Sequence, residues 1–266
     1  MNIAHKIRSV AYKVLSYIDI FLGGIENGTA ILCYHSFESS TNRYAVSLKK
    51  FEDQVSRIYS KSGFVSLSKA LSVNKSDGKN NQVLLTIDDG LKSVLDILPI
   101  TTKLKIAVVL FVLSNPEKAD RRELDTKEKF LSWSDIKHLQ SLGWEIGCHS
   151  STHVNFSNLT EKQIENEIVN SKKIIESKLG KEVTSFAYPK GIHDERVKDA
   201  VKKAGYKNAF SVLPGRVTSK TDTFDLPRTI IDQTHQLSDF PALYSKSWLI
   251  FRRLVGPLQL WEKFLS

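Results

Sequence analysis

The feature that most limits the fold of this chain is a series of short apolar runs, each of strand length and most followed by a helical pattern. Ala30 to Tyr34, Gln82 to Ile87, Ile106 to Leu113, Trp144 to Cys148, Ser185 to Tyr188, Asn208 to Leu213 and Leu226 to Ile231 read as strands. They do not alternate apolar with polar, so both faces of each are buried, as in a parallel sheet covered by helices. Between them, Leu48 to Tyr59, Leu91 to Leu104, Ser134 to Leu142, Thr160 to Leu179 and Asp194 to Ala204 read as helices, the second carrying a proline break. Phe51, Val55 and Ile58 recur at helical spacing. Thr160 with Gln163 makes a capping box, and Gly180 stops the longest helix. About seven strand–helix units fit an α/β barrel better than an open sheet.

The chain has 266 residues, 41% apolar and 25% charged, enough to bury one core and too apolar for disorder. The expectation is a single catalytic domain over residues 1–266, with its core at about 29–232. Two cysteines, Cys33 and Cys148, lie in apolar strands, too few for a disulfide framework. As buried free thiols they suit a reducing compartment. No run of 18 apolar residues is present, and no secretory leader is read at the N-terminus.

A net charge of +9 favours anionic partners. No zinc-finger, helix-turn-helix or RNA-binding signature accompanies it, so nucleic acid is not expected as a partner. Charge and apolar periodicity coincide at the two ends. Residues 3 to 22, within an N-terminal segment 1–24, carry Ile3, Ile7, Val10, Val14, Ile18 and Phe21 on one stripe, with Lys6, Arg8 and Lys13 off it. The C-terminal segment 240–266 repeats the style through Trp248, Phe251, Val255, Leu258, Trp261 and Leu265, interrupted by Pro257. Such helices either rest on an anionic membrane or close the ends of the barrel. The first option gives the expected location: cytoplasmic, peripheral at the inner face of the membrane.

Chemistry concentrates at strand ends. The strand ending at Ile87 runs into Asp88-Asp89-Gly90. Two adjacent carboxylates at the end of an apolar strand are costly unless a cation compensates, whereas a helix cap would account for only one. The strand ending at Cys148 runs into His149-Ser150-Ser151-Thr152-His153. Histidines four apart on a helical turn can reach one ion, and imidazole with carboxylate is a common zinc donor set. A third strand ends in Tyr188-Pro189-Lys190-Gly191, either a plain turn or one that aims a backbone N–H into a site.

Thr86-Ile87-Asp88-Asp89-Gly90 resembles the T-F-D-D-G signature of the polysaccharide deacetylase family, also called carbohydrate esterase family 4 or the NodB-homology domain. His149 to His153 looks like its H-[ST]-x-x-H signature, and Phe186 to Gly191 resembles its third motif. The resemblance implies a distorted (β/α)7 barrel and metal-dependent removal of N-acetyl groups from amino sugars, in a polysaccharide or its lipid-linked precursor. By position it makes Asp89, His149 and His153 the ligands of a divalent metal. Zinc is the expected ion, with Co2+, Ni2+ and Fe2+ suited to the same donors. Asp88 becomes the general base, and the backbone N–H of Lys190 a donor to the oxyanion.

Two departures matter. Ala187 stands where the family motif has an arginine that orients the catalytic aspartate, and Arg228 is the expected substitute. The late Leu-x-x-His motif is also missing; His235 follows the last strand without that context. The early strand instead ends Leu32-Cys33-Tyr34-His35, similar to a permuted subgroup of exopolysaccharide deacetylases. That assigns His35 as general acid. Alternatives are an O-acetyl esterase or deformylase acting on a lipid-linked sugar, or a catalytically silent sugar-binding module on the same fold.

Overall fold

The computed structural model describes residues 14, 28–38, 42–72, 82–122, 124, 126–213 and 215–240. The two terminal amphipathic segments read from the sequence lie outside the described residues, save Val14 and Phe240. Among the described residues no helix is long and apolar enough to cross a membrane.

Among the described residues seven strands form one sheet: β1 (Ala30–Tyr34), β2 (Val83–Ile87), β3 (Val108–Val112), β4 (Glu145–Cys148), β5 (Ser185–Ala187), β6 (Asn208–Phe210) and β7 (Thr229–Ile230). Their spatial order is β6-β5-β4-β3-β2-β1-β7, and every pairing is parallel. The sheet curls as a distorted (β/α) barrel. One late segment bridges its edges: Leu226 pairs with Phe210 beside β6, and Thr229–Ile230 pair with Leu32 and Cys33 of β1. Almost every strand side chain is buried, which is why the strands read as unbroken apolar runs.

The flanking helices are α1 (Leu48–Lys61), α2 (Leu67–Leu71), α3 (Leu98–Lys103), α4 (Trp133–Ser141), α5 (Glu161–Glu165), α6 (Ser171–Leu179) and α7 (Glu195–Lys203). Side-chain caps start most of them: Ser47, Ser66, Ser132, Thr160 and Asp194 each accept a backbone N–H of the first turn. Gly180 ends α6 at φ 65.

Three sequence expectations need adjustment. The helix expected over Leu91 to Leu104 is a 3-10 stretch, Lys92–Ile97, followed by α3. Pro99 lies in the first turn of α3, where a missing N–H costs nothing, so it opens a helix instead of breaking one. The helix expected over Thr160 to Leu179 is interrupted by a π turn, Asn166–Asn170, between α5 and α6. The last two strands are shorter than read, because their outer residues serve as connections that close the sheet.

Candidate active site

Parallel pairing brings the C-terminal ends of the strands to one rim. Tyr34 pairs with Ile87, Ile87 with Leu110, Val112 with Cys148 and Cys148 with Phe186. The residues that follow these ends, His35, Asp88, Asp89 and His149, therefore leave the sheet together.

The local backbone turns sharply there. Asp89, Ser150, His153 and Lys190 all have positive φ, between 58° and 68°. For residues with a Cβ such conformations cost about 1–3 kcal/mol each and persist only when the surroundings impose them. Gly90, at φ 69, completes the turn after Asp89, where a Cβ would lie 3.2 Å from Val112.

Asp89, His149 and His153 each present a donor atom, all within 4.8 Å of one another. Asp89 Oδ1 lies 3.5 Å from His149 Nε2 and 3.7 Å from His153 Nε2. Donors bound to zinc at about 2.0–2.1 Å in a tetrahedron stand roughly 3.4 Å apart, so this spacing would suit a ligand set. His149 Nδ1 lies 2.8 Å from the Ala187 carbonyl. A carbonyl only accepts, so Nδ1 carries the proton and Nε2 keeps its lone pair toward Asp89. Burial lowers the pKa of both imidazoles, holding them neutral as a ligand must be. Asp89 Oδ1 is buried without a hydrogen-bond partner. Burial first, and then the Asp88 charge, push the Asp89 carboxyl up to about 8. An orphaned buried oxygen between two imidazole lone pairs fits a divalent cation.

Asp88 is held differently. Burial would raise its pKa, but the charge and hydrogen bonds of the Arg228 guanidinium, with His149 and His35 beside it, together keep the carboxyl well below the usual carboxylate range. Arg228 is fully buried and grips Asp88 with two parallel bonds, Nη1 to Oδ1 at 2.7 Å and Nη2 to Oδ2 at 2.8 Å. Its Nε donates to the Ser211 carbonyl at 3.0 Å, and its plane lies near the rings of Phe111 and Phe210. The guanidinium thus enters from the segment between β6 and β7, not from the β5 position held by Ala187. Asp88 Oδ2 remains 3.7 Å from His149 Nε2, beside the three-donor cluster.

His35 offers a ring nitrogen within 4.8 Å of donor atoms of Asp88 and Cys33. Its ring stacks on Tyr44 at 4.8 Å, and Nδ1 is buried without a hydrogen-bond partner. Burial is the main cause that lowers its pKa to about 4, against the pull of Asp88. Lys190 occupies the left-handed corner of the Pro189–Gly191 turn, and its charge reaches His153. Gly191 is required beside it, since a Cβ would stand 2.7 Å from the Val212 nitrogen.

The sequence reading missed three acidic residues. Glu128 accepts from Ser36 Oγ at 2.7 Å and from the Ser93 backbone N–H, and its charge raises the pKa of Asp89. Asp232 acts on His35 and binds His235, with Oδ1 2.9 Å from Nδ1. Glu167 contacts the loop between the two histidines. Only Asp232 had a signal, its place at the end of the last strand three residues before His235.

The polysaccharide deacetylase family model matches residues 75–209, half of the chain. The chain is 26% identical over 217 residues to the Bacillus subtilis protein YxkH, a provisionally named polysaccharide deacetylase, covering 80% of this chain and 74% of that one. It is 25% identical over 211 residues to a poly-beta-1,6-N-acetyl-D-glucosamine N-deacetylase of Staphylococcus aureus, covering 74% of this chain and 71% of the relative. Among solved structures, IcaB from Ammonifex degensii superposes with a TM-score of 0.69 at 22% identity, over 85% of this chain and 98% of that one. The Streptococcus pyogenes deacetylase PplD, solved with acetate, gives 0.69 at 19% identity over 83% and 99%. With seven parallel strands curled around Asp88, Asp89, His149 and His153, this chain belongs to the polysaccharide deacetylase family.

Proposed function

We propose that this protein is a metal-dependent N-deacetylase of amino sugars, acting on a cell-surface polysaccharide or its lipid-linked precursor. One observation carries the reading: a carboxylate clamped by a buried arginine stands against a separate cluster of one carboxylate and two neutral imidazoles. Two carboxylates in such different environments take two different roles.

Asp89, His149 and His153 would hold the cation, with zinc favoured by the donor set and Co2+, Ni2+ or Fe2+ able to replace it. A divalent cation there would acidify water toward a pKa of ~7 and polarise an acetyl carbonyl. Asp88 stays ionised at any working pH and is the group that takes the proton of the attacking water. Arg228 fixes which lone pairs of Asp88 remain for that task. The Lys190 N–H is the donor assigned to the developing oxyanion, a contact worth roughly 3–4 kcal/mol in transition states of this kind. An amine leaves only with a proton. His35, close to Asp88, passes on the proton taken from water, and its low proton affinity makes the last transfer to nitrogen easy. The products are acetate and a free amino sugar.

The substrate proposal leans on the Staphylococcus aureus relative, named for poly-beta-1,6-N-acetyl-D-glucosamine. Arg228 also removes the reason to regard the chain as a silent sugar-binding module, which rested on Ala187 alone. The decisive measurement is acetate release from N-acetylglucosamine oligomers by zinc-reconstituted protein, beside O-acetylated controls. Protein that carries an equivalent of metal yet releases no acetate from N-acetylated glycans would refute the proposal; release from the O-acetyl controls alone would make it an esterase. Asp88→Asn should keep the metal and lose about 10²–10⁴-fold in turnover, the range of a general base.

A peripheral place at the inner face of the membrane is part of the same proposal, resting on the basic amphipathic sequences at residues 3–22 and 248–265. The full chain should pellet with anionic vesicles, less so without residues 1–22. Equal pelleting of both would end the assignment to that segment.

A further inference from the structure

We infer that Glu167 is the positioning residue that holds the His149–His153 loop in its ion-binding shape, and that the π turn carrying it exists to put it there. The inference rests on the reading of Asp89, His149 and His153 as metal ligands.

The loop is held in a conformation it would not choose. Ser150 and His153 both have positive φ, 68° and 59°, and neither is glycine. Within the loop, Ser150 Oγ accepts the His153 N–H at 3.0 Å, which closes the turn but does not anchor it. On one side the Ser114 and Asn115 N–H groups donate to the Ser150 and Ser151 carbonyls at 3.2 and 3.0 Å, which leaves the loop's own N–H groups to be held from the helical layer. Glu167 Oε2 accepts two consecutive backbone N–H groups, from Ser151 at 2.9 Å and Thr152 at 3.0 Å. Its other oxygen accepts the Thr152 hydroxyl at 3.0 Å. One carboxylate therefore fixes both residues midway between the two histidines. Bonds from backbone N–H to an ionised acceptor are about twice as strong as neutral ones.

Glu167 lies in the five-residue π turn Asn166–Asn170, between α5 and α6. Such turns are rare and tend to occur at functional positions. This one has its own support. The Ser171 hydroxyl lies 2.7 Å from the Glu167 carbonyl and 2.8 Å from the Ile168 carbonyl, and the Tyr206 hydroxyl donates to the Ile168 carbonyl at 3.3 Å. Cys148 Sγ, next to His149, donates to Ser171 Oγ at 3.1 Å. The strand end and the ligand loop are thus tied to the same turn by two routes, through Cys148 and through Glu167. The buried Cys148 thiol, which has no part in the chemistry, finds its use here.

The test uses the full chain. Glu167→Gln keeps the size of the side chain but replaces the ionised acceptor with a neutral amide, whose NH2 must face either the two backbone N–H groups or the Thr152 hydroxyl. Zinc affinity, read by competition with a chromophoric chelator, should weaken about 10–100-fold, the usual effect of losing a partner that orients ligands. Thr152→Val removes only the hydroxyl contact and should weaken it less. Melting in excess chelator should change little in either variant, so that the lost stability appears chiefly in the zinc-dependent increment. Rate at saturating zinc should recover toward wild type, because the residue touches no substrate. A Glu167→Gln protein that binds zinc like wild type, or loses equal stability with and without zinc, overturns the inference and leaves the metal site standing. Wild-type protein that binds no zinc overturns both.

Discussion

At the residue scale, the site works by giving two neighbouring aspartates opposite surroundings. Asp88 and Asp89 are adjacent and both buried, yet one is held ionised by Arg228 and the other is pushed up to about 8. The difference comes from where each carboxylate points, since Arg228 bonds both oxygens of Asp88 while Asp89 Oδ1 has no such partner. Arg228→Gln tests this directly. Removing one partner of a buried pair leaves an uncompensated charge, and the expected loss is about 3–5 kcal/mol, measured by urea unfolding. The depressed pKa of Asp88 stabilises the fold above the normal carboxylate range, a contribution lost only as pH falls through the folded value. Without Arg228, burial dominates and the carboxyl pKa rises. The acidic limb of kcat/KM should then move to higher pH in the variant. An unmoved limb, in folded Arg228→Gln protein, would mean that Asp88 is not the group whose ionisation the reaction needs. The Asp-Asp-Gly and His-x-x-x-His motifs were legible because each sits on a few consecutive residues. Arg228 could be proposed only because Ala187 left a known task unfilled. Glu167 and Glu128 could not be found, because their partners are 15 and 35 or more residues away and no local pattern records such pairs.

At the scale of elements, what the sequence showed well was the succession of strands and their parallel type, and what it showed poorly was where elements stop. Apolar runs mark buried strands reliably because parallel strands hide both faces. They do not separate a strand from its connection, so Leu226, apolar and fully buried, read as strand although it bridges to β6 ahead of β7. The π turn was invisible for a related reason: Ile164, Ile168, Ser171 and Ile175 keep a helical stripe of buried residues straight through it. One strand residue does carry a readable structural demand. Gly147 in β4 stands beside Phe111 of β3, and a Cβ there would lie 2.4 Å from two ring carbons. That ring in turn lies near the guanidinium of Arg228. Gly147→Ala should therefore cost about 1–3 kcal/mol by overpacking, read from the urea midpoint. Phe111→Leu in the same chain should recover part of that loss, because the clash is with the ring. If the double variant is no more stable than the sum of the single losses predicts, the two strands are not coupled through that contact.

At the scale of the whole molecule, the proposed ligands come from strand ends more than 55 residues apart, Ile87 to Asp89 on one side and Cys148 to His153 on the other. A cation held by both ends binds the folded chain and not the unfolded one, so it must raise stability by mass action. At a free zinc concentration a hundredfold above Kd, the gain is about 2.7 kcal/mol. For a chain of this size that is a rise in Tm of roughly 5–10 °C over protein in chelator. The size of the rise should depend on pH in a defined direction. In metal-free protein the folded Asp89 carboxyl keeps its proton up to about 8, whereas in the unfolded chain an aspartate loses it near ~3.9. At this carboxyl the folded state therefore binds the extra proton, and its contribution to metal-free stability falls as pH climbs from about 4 to 8, while the buried histidines contribute in the opposite direction below their ordinary range. Zinc displaces that proton, so metal affinity rises with pH through the same window. Burial lowers the pKa of both imidazoles, which reduces their share of the protons released. The zinc-induced increment in Tm should thus grow steadily between pH 5 and 8 at fixed free zinc. Calorimetric titration at pH 7 should show close to one proton released per ion. An increment that stays flat across that window, with no proton released, would mean that the ion does not bind through Asp89, and the division of labour between the two aspartates would have to be redrawn.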